Sequence, residues 1–181
     1  MIRCVRIKNI AGMRSRLMDS LNNHVREYTI QLSKGQIQKA YKGIMTFMSG
    51  LSTYLESMYP DYNASSLYFG YMNMTYFAFT PPDLKNKKLK IAIIYLHEQC
   101  KFEVWLGGSN RKIQAEYIKL LSGRNLGKYK LSQTLPGMDS IIESTLAYQP
   151  DFDHPEELKK HIKRKTIEFV NDITSILNEK S

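Results

Sequence analysis

The residues best suited to bind a ligand lie in the run 105–112, Trp-Leu-Gly-Gly-Ser-Asn-Arg-Lys, where two glycines precede two cations. Gly107 and Gly108 let the backbone approach a ligand closely, and the helix predicted after them offers free amide donors. Arg111 and Lys112 add positive charge, so the run favours an anion. It matches neither the Walker A loop nor the dinucleotide-binding fingerprint, and a plain strand-to-helix turn with a capping residue is the alternative interpretation.

We therefore predict a cleft at the strand-to-helix junction around residues 103–114, which binds a small anionic ligand or a partner peptide. Trp105 is central to this prediction, because we expect its indole to stay partly uncovered where the glycine pair turns the backbone outward. The predicted ligand-binding residues are Glu103, Trp105, Gly107, Gly108, Asn110, Arg111 and Gln114.

A catalytic role has weaker support. A histidine and three acids could perform acid–base chemistry if the fold brought them together, because burial tunes the pKa of such groups. These residues are His97, Glu98, Glu103 and Glu143. A restriction-nuclease-like core needs an acid-x-Lys triplet to hold a metal, and Glu103-Val104-Trp105 fails that pattern. A metal-dependent hydrolase using Glu103 and Glu143 is therefore the third hypothesis.

The net charge of +9 suggests nucleic acid as a partner, but it is unevenly distributed. Residues 1–18 contain five cations and no acid, so the rest of the chain carries only +4. A second basic cluster lies near the carboxyl terminus, at Lys159, Lys160, Lys163, Arg164 and Lys165. Neighbouring glutamates offset part of that cluster, and a solvated helix face is the alternative explanation. Nucleic-acid binding through the leader and these lysines is the second hypothesis.

The elements that position these residues are both helical and extended. Apolar residues at helical spacing predict an amino-terminal helix pair, which ends at Gly35 and before Pro60. Residues 66–80 alternate aromatic and apolar side chains on both faces, which predicts a strand covered on both sides. Residues 89–97 and 101–106 complete a three-strand meander, with a reversal at Glu98 and Gln99.

Two further helices are predicted after the meander. The first is capped by Ser109 or Asn110, and the second follows a cap at Asp153 or His154 with Pro155 in its first turn. Short strands are predicted at 129–131 and 141–148, around a Pro136-Gly137 turn. The fold class is therefore α+β, with a mainly antiparallel sheet on which the helices pack.

Composition places the chain among intracellular globular proteins. Residues 1–17 form a basic leader, for which an organelle transit peptide is an alternative, and residues 18–181 are predicted to form a single compact domain. No run approaches the ~20 apolar residues that cross a bilayer. Cys4 and Cys100 lie far apart and lack metal-type spacing, so we predict a reducing, cytoplasmic location, no membrane and no metal or cofactor.

Four runs carry a resemblance to a known family. They are residues 39–43 (Lys-Ala-Tyr-Lys-Gly), 69–72 (Phe-Gly-Tyr-Met), 102–106 (Phe-Glu-Val-Trp-Leu) and 140–143 (Ser-Ile-Ile-Glu). Together the runs resemble a bacterial family of small uncharacterised proteins, a domain of unknown function, from about Met18 to the end. The resemblance implies one compact domain of prokaryotic, cytosolic origin and no particular activity. The leading hypothesis is thus a non-enzymatic binding or interaction domain.

Overall fold

The structure is a computed structural model that describes residues 20–132 and 140–179. The chain divides into two compact units, residues 1–45 and 46–181. The predicted basic leader and the Pro136-Gly137 turn lie outside the described residues. The prediction of a single domain over residues 18–181 stays a prediction.

The first unit is described from Ser20 and is helical. Helix α1 (Leu21–Ser33) begins where the Ser20 hydroxyl accepts a hydrogen bond from the Asn23 amide at 3.3 Å. Gly35 ends the helix with φ +73°, a conformation that costs little without a Cβ. The apolar face of α1 remains exposed, with Leu21 76% and Val25 51% accessible.

Helix α2 (Gln36–Met58) begins in the first unit and continues into the second. Its carboxyl-terminal half buries one side, and the helix stops before Pro60, as its sequence predicts. The buried residues are Phe47, Met48, Leu51 and Leu55.

The second unit contains a five-stranded antiparallel sheet with strands in chain order. The strands are β1 (Asn63–Ala64), β2 (Met74–Thr80), β3 (Leu89–Leu96), β4 (Lys101–Gly108) and β5 (Ser140–Tyr148). Three further helices accompany it, namely α3 (Pro82–Asn86), α4 (Arg111–Leu121) and α5 (Pro155–Asn178). The predicted α+β class with an antiparallel sheet, an amino-terminal helix pair and later helices is confirmed.

One face of the sheet forms the core. Side chains of β2, β3 and β4 that point to this face are fully buried, including Phe77, Ile91 and Phe102. Helix α2 reaches this face through Phe47, whose ring lies 5.5 Å from that of Phe102. Helix α5 packs along β4 and β5 with a buried stripe, which consists of Leu158, Ile162, Thr166, Phe169, Val170 and Ile173. On the opposite face, Ala78, Ala92 and Trp105 are only half-buried.

The prediction of a long strand over residues 66–80, covered on both sides, is wrong. The strand starts only at Met74, because Gly70 and Met72 adopt φ +65° and +63° and turn the chain. A Cβ on Gly70 would lie 2.1 Å from the Met74 carbonyl oxygen, so the turn requires glycine. Residues 66–73 instead fold as a loop, tied to β2 by a bridge between Tyr68 and Tyr76.

No helix among the described residues is long and apolar enough to cross a membrane.

Candidate functional site

A cavity of about 870 Å³ lies on the sheet face that the helices leave open. Its floor is formed by β2, β3 and β4, and its walls by β1 with the segment that follows it to residue 73, the turn between α3 and β3, and the start of α4. We call it the sheet-face cavity. Its volume falls within the range of ~300–1,000 Å³ that small-molecule sites occupy.

The floor is low because small residues occupy its centre. Ala78 pairs with Ala92, and Ala92 pairs with Trp105 on the next strand. All three side chains point to the open face and are half-buried. Two neighbouring alanines leave room above the backbone that larger side chains would fill, which explains why a cavity forms at this point of the sheet.

Aromatic rings border the cavity on the β2 side. Tyr68 and Tyr76 pack with ring centroids 4.8 Å apart, and their backbones exchange hydrogen bonds of 2.7 and 3.0 Å. Tyr71, at the tip of the loop, is 93% exposed. The turn at Gly70 therefore presents a tyrosine at the mouth of the cavity, while the Tyr68–Tyr76 pair forms a fixed wall.

Four cations line the cavity, and none of the residues described as lining it is an acid. They are Lys85, Lys88, Lys90 and Arg111. Lys85 donates from Nζ to the neutral Asn63 Oδ1 at 2.5 Å and forms no ion pair within the part of the chain that the structure describes. Lys88, Lys90 and Arg111 form no ion pair with any residue in 20–132 or 140–179. The cavity wall is therefore electrostatically positive.

Trp105 is held in place by a buried carboxylate. Its Nε1 donates to Glu103 Oε2 at 2.7 Å, and Glu103 Oε1 pairs with Lys101 Nζ at 2.6 Å. Glu103 is only 5% exposed and does not line the cavity. Its charge is thus balanced by Lys101, and its role in the structure is to orient the indole that lines the cavity.

The glycine pair serves the fold as well as the cavity. A Cβ on Gly108 would lie 2.6 Å from the Gln114 amide nitrogen and 2.9 Å from the Asn110 carbonyl oxygen, so α4 can pack against β4 only if residue 108 is glycine. Gly107 pairs with Lys90 and lines the cavity. The Asn110 side chain caps α4 by accepting from the Ile113 amide at 3.0 Å, as the sequence predicts.

Gln114 connects α4 to the sheet. It is 6% exposed, and its Nε2 donates to the Ser140 carbonyl oxygen at 2.9 Å. Six of the seven residues predicted to bind ligand therefore border one cavity, and Glu103 supports one of them from behind. Whether they bind a ligand stays a prediction.

Comparison of the sequence with protein-family models matches residues 21–177 to a domain of unknown function, DUF7000. The chain belongs to this family. The resemblance predicted from the sequence is thereby confirmed at the level of a family of uncharacterised proteins, whereas its bacterial origin stays a prediction. Neither a curated protein nor a solved structure matches the chain.

The matched region of the DUF7000 domain runs from α1 into α5 and contains every residue that lines the cavity. Sequence reasoning missed the lysines and tyrosines of this set. Lys85 and Lys88 lie in the connection before the second predicted strand, Lys90 lies within that strand, and the tyrosines lie in the strand predicted to be covered on both sides, so none of them was predicted to bind a ligand. The glycine in the Phe-Gly-Tyr-Met run was the available signal, since glycine inside an apolar alternating segment marks a bend.

The acid–base residues of the hydrolase hypothesis are engaged elsewhere in the DUF7000 domain. Glu103 faces Trp105 and Lys101, and Glu143 Oε1 accepts from the Ser140 hydroxyl at 2.5 Å. His97 Nε2 lies 2.9 Å from Thr75 Oγ1, and burial lowers the pKa of this histidine below its usual value of 6.5. Within the described ranges, no three His, Cys, Asp or Glu side chains cluster to hold a metal.

Proposed function

We propose that the DUF7000 domain is a non-enzymatic binding module that holds a small anionic ligand in the sheet-face cavity. The observation that carries this proposal is the charge of the lining, where four cations and no acid are described around about 870 Å³. Like charges in one concave site repel one another, and an anion placed among them relieves that repulsion.

The arrangement of the polar groups supports the same conclusion. Arg111 offers several N–H donors in a fixed plane, which suits a carboxylate or phosphate, and the lysines add mobile point charges. Asn63 and Ser109 also line the cavity and carry polar side chains that can form hydrogen bonds and fix the orientation of a ligand.

A binding role fits the described lining better than catalysis does. The lining contains amides, hydroxyls and cations, whereas Glu103, Glu143 and His97 contact other protein groups. General acid–base catalysis most often uses a histidine or a carboxylate, and none of the residues described as lining the cavity is either.

Nucleic-acid binding through the carboxyl-terminal lysines has less support. Lys159 pairs with Glu156 at 2.8 Å, and Arg164 lies 3.7 Å from Glu168 on the exposed side of α5. These pairs favour a solvated helix face. The leader that would complete such a surface lies outside the described residues.

The proposal is tested by thermal denaturation with a panel of anions, including inorganic phosphate, citrate and phosphorylated metabolites. A ligand at ~100 times its Kd contributes about 2.7 kcal/mol, which raises the Tm of a chain of this length by about 5–10 °C. Arg111→Ala should weaken binding about tenfold and so reduce the shift to about half. The matched control is Lys112→Ala, which removes the same charge from the neighbouring exposed position outside the cavity.

Equal loss of the shift in both variants would mean that net charge alone matters and would refute a defined site. The absence of any shift across the panel would refute the proposed ligand class. Added salt should weaken binding, because exposed charges contribute to it.

A further inference from the structure

The two sides of the sheet-face cavity differ in chemistry, and the sheet register shows how they are arranged. Along β3, Tyr76 stands opposite Ile94, Trp105 opposite Ala92, and Gly107 opposite Lys90. Rings therefore flank one half of the cavity floor, and the cations gather beyond it around Lys90. This polarity, with rings at one end and cations at the other, restricts the possible ligands more than positive charge alone does.

The length of the floor from its ring end to its cation end limits the ligand, and Ala92 in the ring half lies two residues from Lys90 in the cation half. Ile94 and Lys90 lie four residues apart on one strand, which is about 13 Å at the rise of ~3.3 Å per residue. A simple inorganic anion cannot contact both ends. A ligand that uses the whole cavity must carry its apolar or aromatic part and its anionic part on one extended molecule.

The ring half has the features of a stacking site. Ala78 and Ala92 form a flat floor, Trp105 borders it on β4, and the Tyr68–Tyr76 pair borders it on β2. The Trp105 ring is fixed by its bond to Glu103, so little rotamer freedom is lost when a planar group packs beside it. Fixed aromatic rings together with cations favour ligands that combine a planar base with phosphate.

From this polarity, and resting on the proposed function, we infer that the ligand is a free nucleoside phosphate. Its base lies over the alanine floor between Trp105 and the tyrosine pair, and its phosphate lies among Lys88, Lys90 and Arg111. Tyr68, Tyr71 and Asn73 of the loop 66–73 border the ring half beside Tyr76, and the start of α4 borders the cation half, so the cavity accommodates a single nucleotide better than a continuing strand.

The chain provides its own reporter for this test, because Trp105 is its only tryptophan. Titrations of the full chain should follow tryptophan fluorescence and, independently, calorimetric heat. The probes are the monophosphates of adenosine, guanosine, cytidine and uridine, the parent nucleosides, ribose 5-phosphate, inorganic phosphate and an eight-nucleotide RNA. At least one monophosphate should bind about tenfold more tightly than ribose 5-phosphate and its own nucleoside, and should change the fluorescence.

Variants separate the two halves of the cavity. Tyr68→Ala should weaken the monophosphate several-fold and leave ribose 5-phosphate unchanged, because Tyr68 belongs to the ring pair beside the base, and its 47% exposure limits any folding defect. Tyr148→Ala is the matched control, since Tyr148 is 67% exposed and does not line the cavity. Arg111→Ala should weaken both probes by about tenfold.

The remaining outcomes distinguish failure of the nucleotide inference from failure of the proposed function. If ribose 5-phosphate or inorganic phosphate binds as tightly as every monophosphate, the nucleoside inference fails while the proposed anion-binding function stands. If no phosphorylated probe and no anion of the thermal panel binds, both fail. If the RNA binds more tightly than any monophosphate in proportion to its length, the cavity belongs to a strand-binding surface and the inference of a free nucleotide is overturned.

Discussion

The buried carboxylate behind Trp105 provides the sharpest test of how this site is built. Glu103→Ala removes the acceptor of the indole N–H and the partner of Lys101 in one change. The Glu103 side chain is 7% exposed and that of Lys101 is 22% exposed, so the indole bond and the ion pair are both largely shielded from water. We expect this single substitution to destabilise the fold and to release the ring.

The expected loss in the free energy of unfolding follows from the two interactions that Glu103→Ala removes. A hydrogen bond to a charged group contributes about 1.5–3 kcal/mol, and removal of one partner from a buried ion pair costs about 3–5 kcal/mol. Lys101 can turn toward solvent once its partner is gone, which places the expected loss for Glu103→Ala at the lower end, about 3 kcal/mol. Glu103→Gln retains an acceptor for the indole but not the charge, and should cost about 1–2 kcal/mol.

Urea unfolding followed by circular dichroism measures the free energy of unfolding without depending on the tryptophan. The matched control is Glu98→Ala, which removes an exposed carboxylate from the turn between β3 and β4 and should change stability by less than ~0.5 kcal/mol. A double-mutant cycle with Trp105→Phe isolates the indole bond and should give a coupling energy of about 1–2 kcal/mol.

Two results would refute this reasoning. A cost below ~1 kcal/mol for Glu103→Ala would mean that the carboxylate is not held in a shielded pair. A coupling energy within ~0.5 kcal/mol of zero would mean that Trp105 and Glu103 act independently, and that another contact orients the indole.

Three further substitutions test other parts of the site. Gly108→Ala should cost about 2 kcal/mol in urea unfolding, because its Cβ would lie 2.6 Å from a backbone nitrogen, whereas Gly123→Ala meets no atom within 4 Å and should be neutral. Ala92→Leu should fill the cavity floor and abolish ligand-induced Tm shifts while the fold persists; retained shifts would place the ligand elsewhere. Burial lowers the pKa of His97, so the unfolded chain binds the proton more readily and stability should fall as pH decreases from about 7 to 5. His97→Gln should reduce this dependence of the free energy of unfolding on pH, measured by urea unfolding at several pH values. An unchanged dependence would contradict the assignment of the effect to His97.

The sequence predicted the parts of the fold that depend on local pattern. The apolar stripe of α5, the Asn110 cap and the alternation in β4 all follow from spacing within one segment. The alternation of residues 101–106 also predicts that Glu103 and Trp105 share one face of β4, where their side chains are hydrogen-bonded. The short strand β1 and the short helix α3 were not predicted, since two and five residues carry too little periodic signal.

The missed half of the site depends on pairing between strands. Lys90 comes beside Gly107, and Ala78 beside Ala92, only through the registers of β3 with β4 and of β2 with β3. The alternation of residues 66–80 concealed the bend at Gly70, because the aromatic residues on both sides of it kept the period of a strand. Packing against a neighbouring segment, rather than local preference, decided where that strand begins.

The contrast between the two faces of the sheet explains why the cavity and the charge occur together. The covered face carries large side chains such as Phe77 and Phe102, which bury apolar area under the helices and stabilise the fold. On the open face, Ala78, Ala92 and Gly107 contribute little burial, and Lys88, Lys90 and Arg111 add mutual repulsion. We expect these residues to lower stability in the absence of an anion. If the repulsion is relieved at a defined site, a bound anion should stabilise the native domain more at low salt than at high salt, and variants that lack one of the three cations should lose part of that dependence.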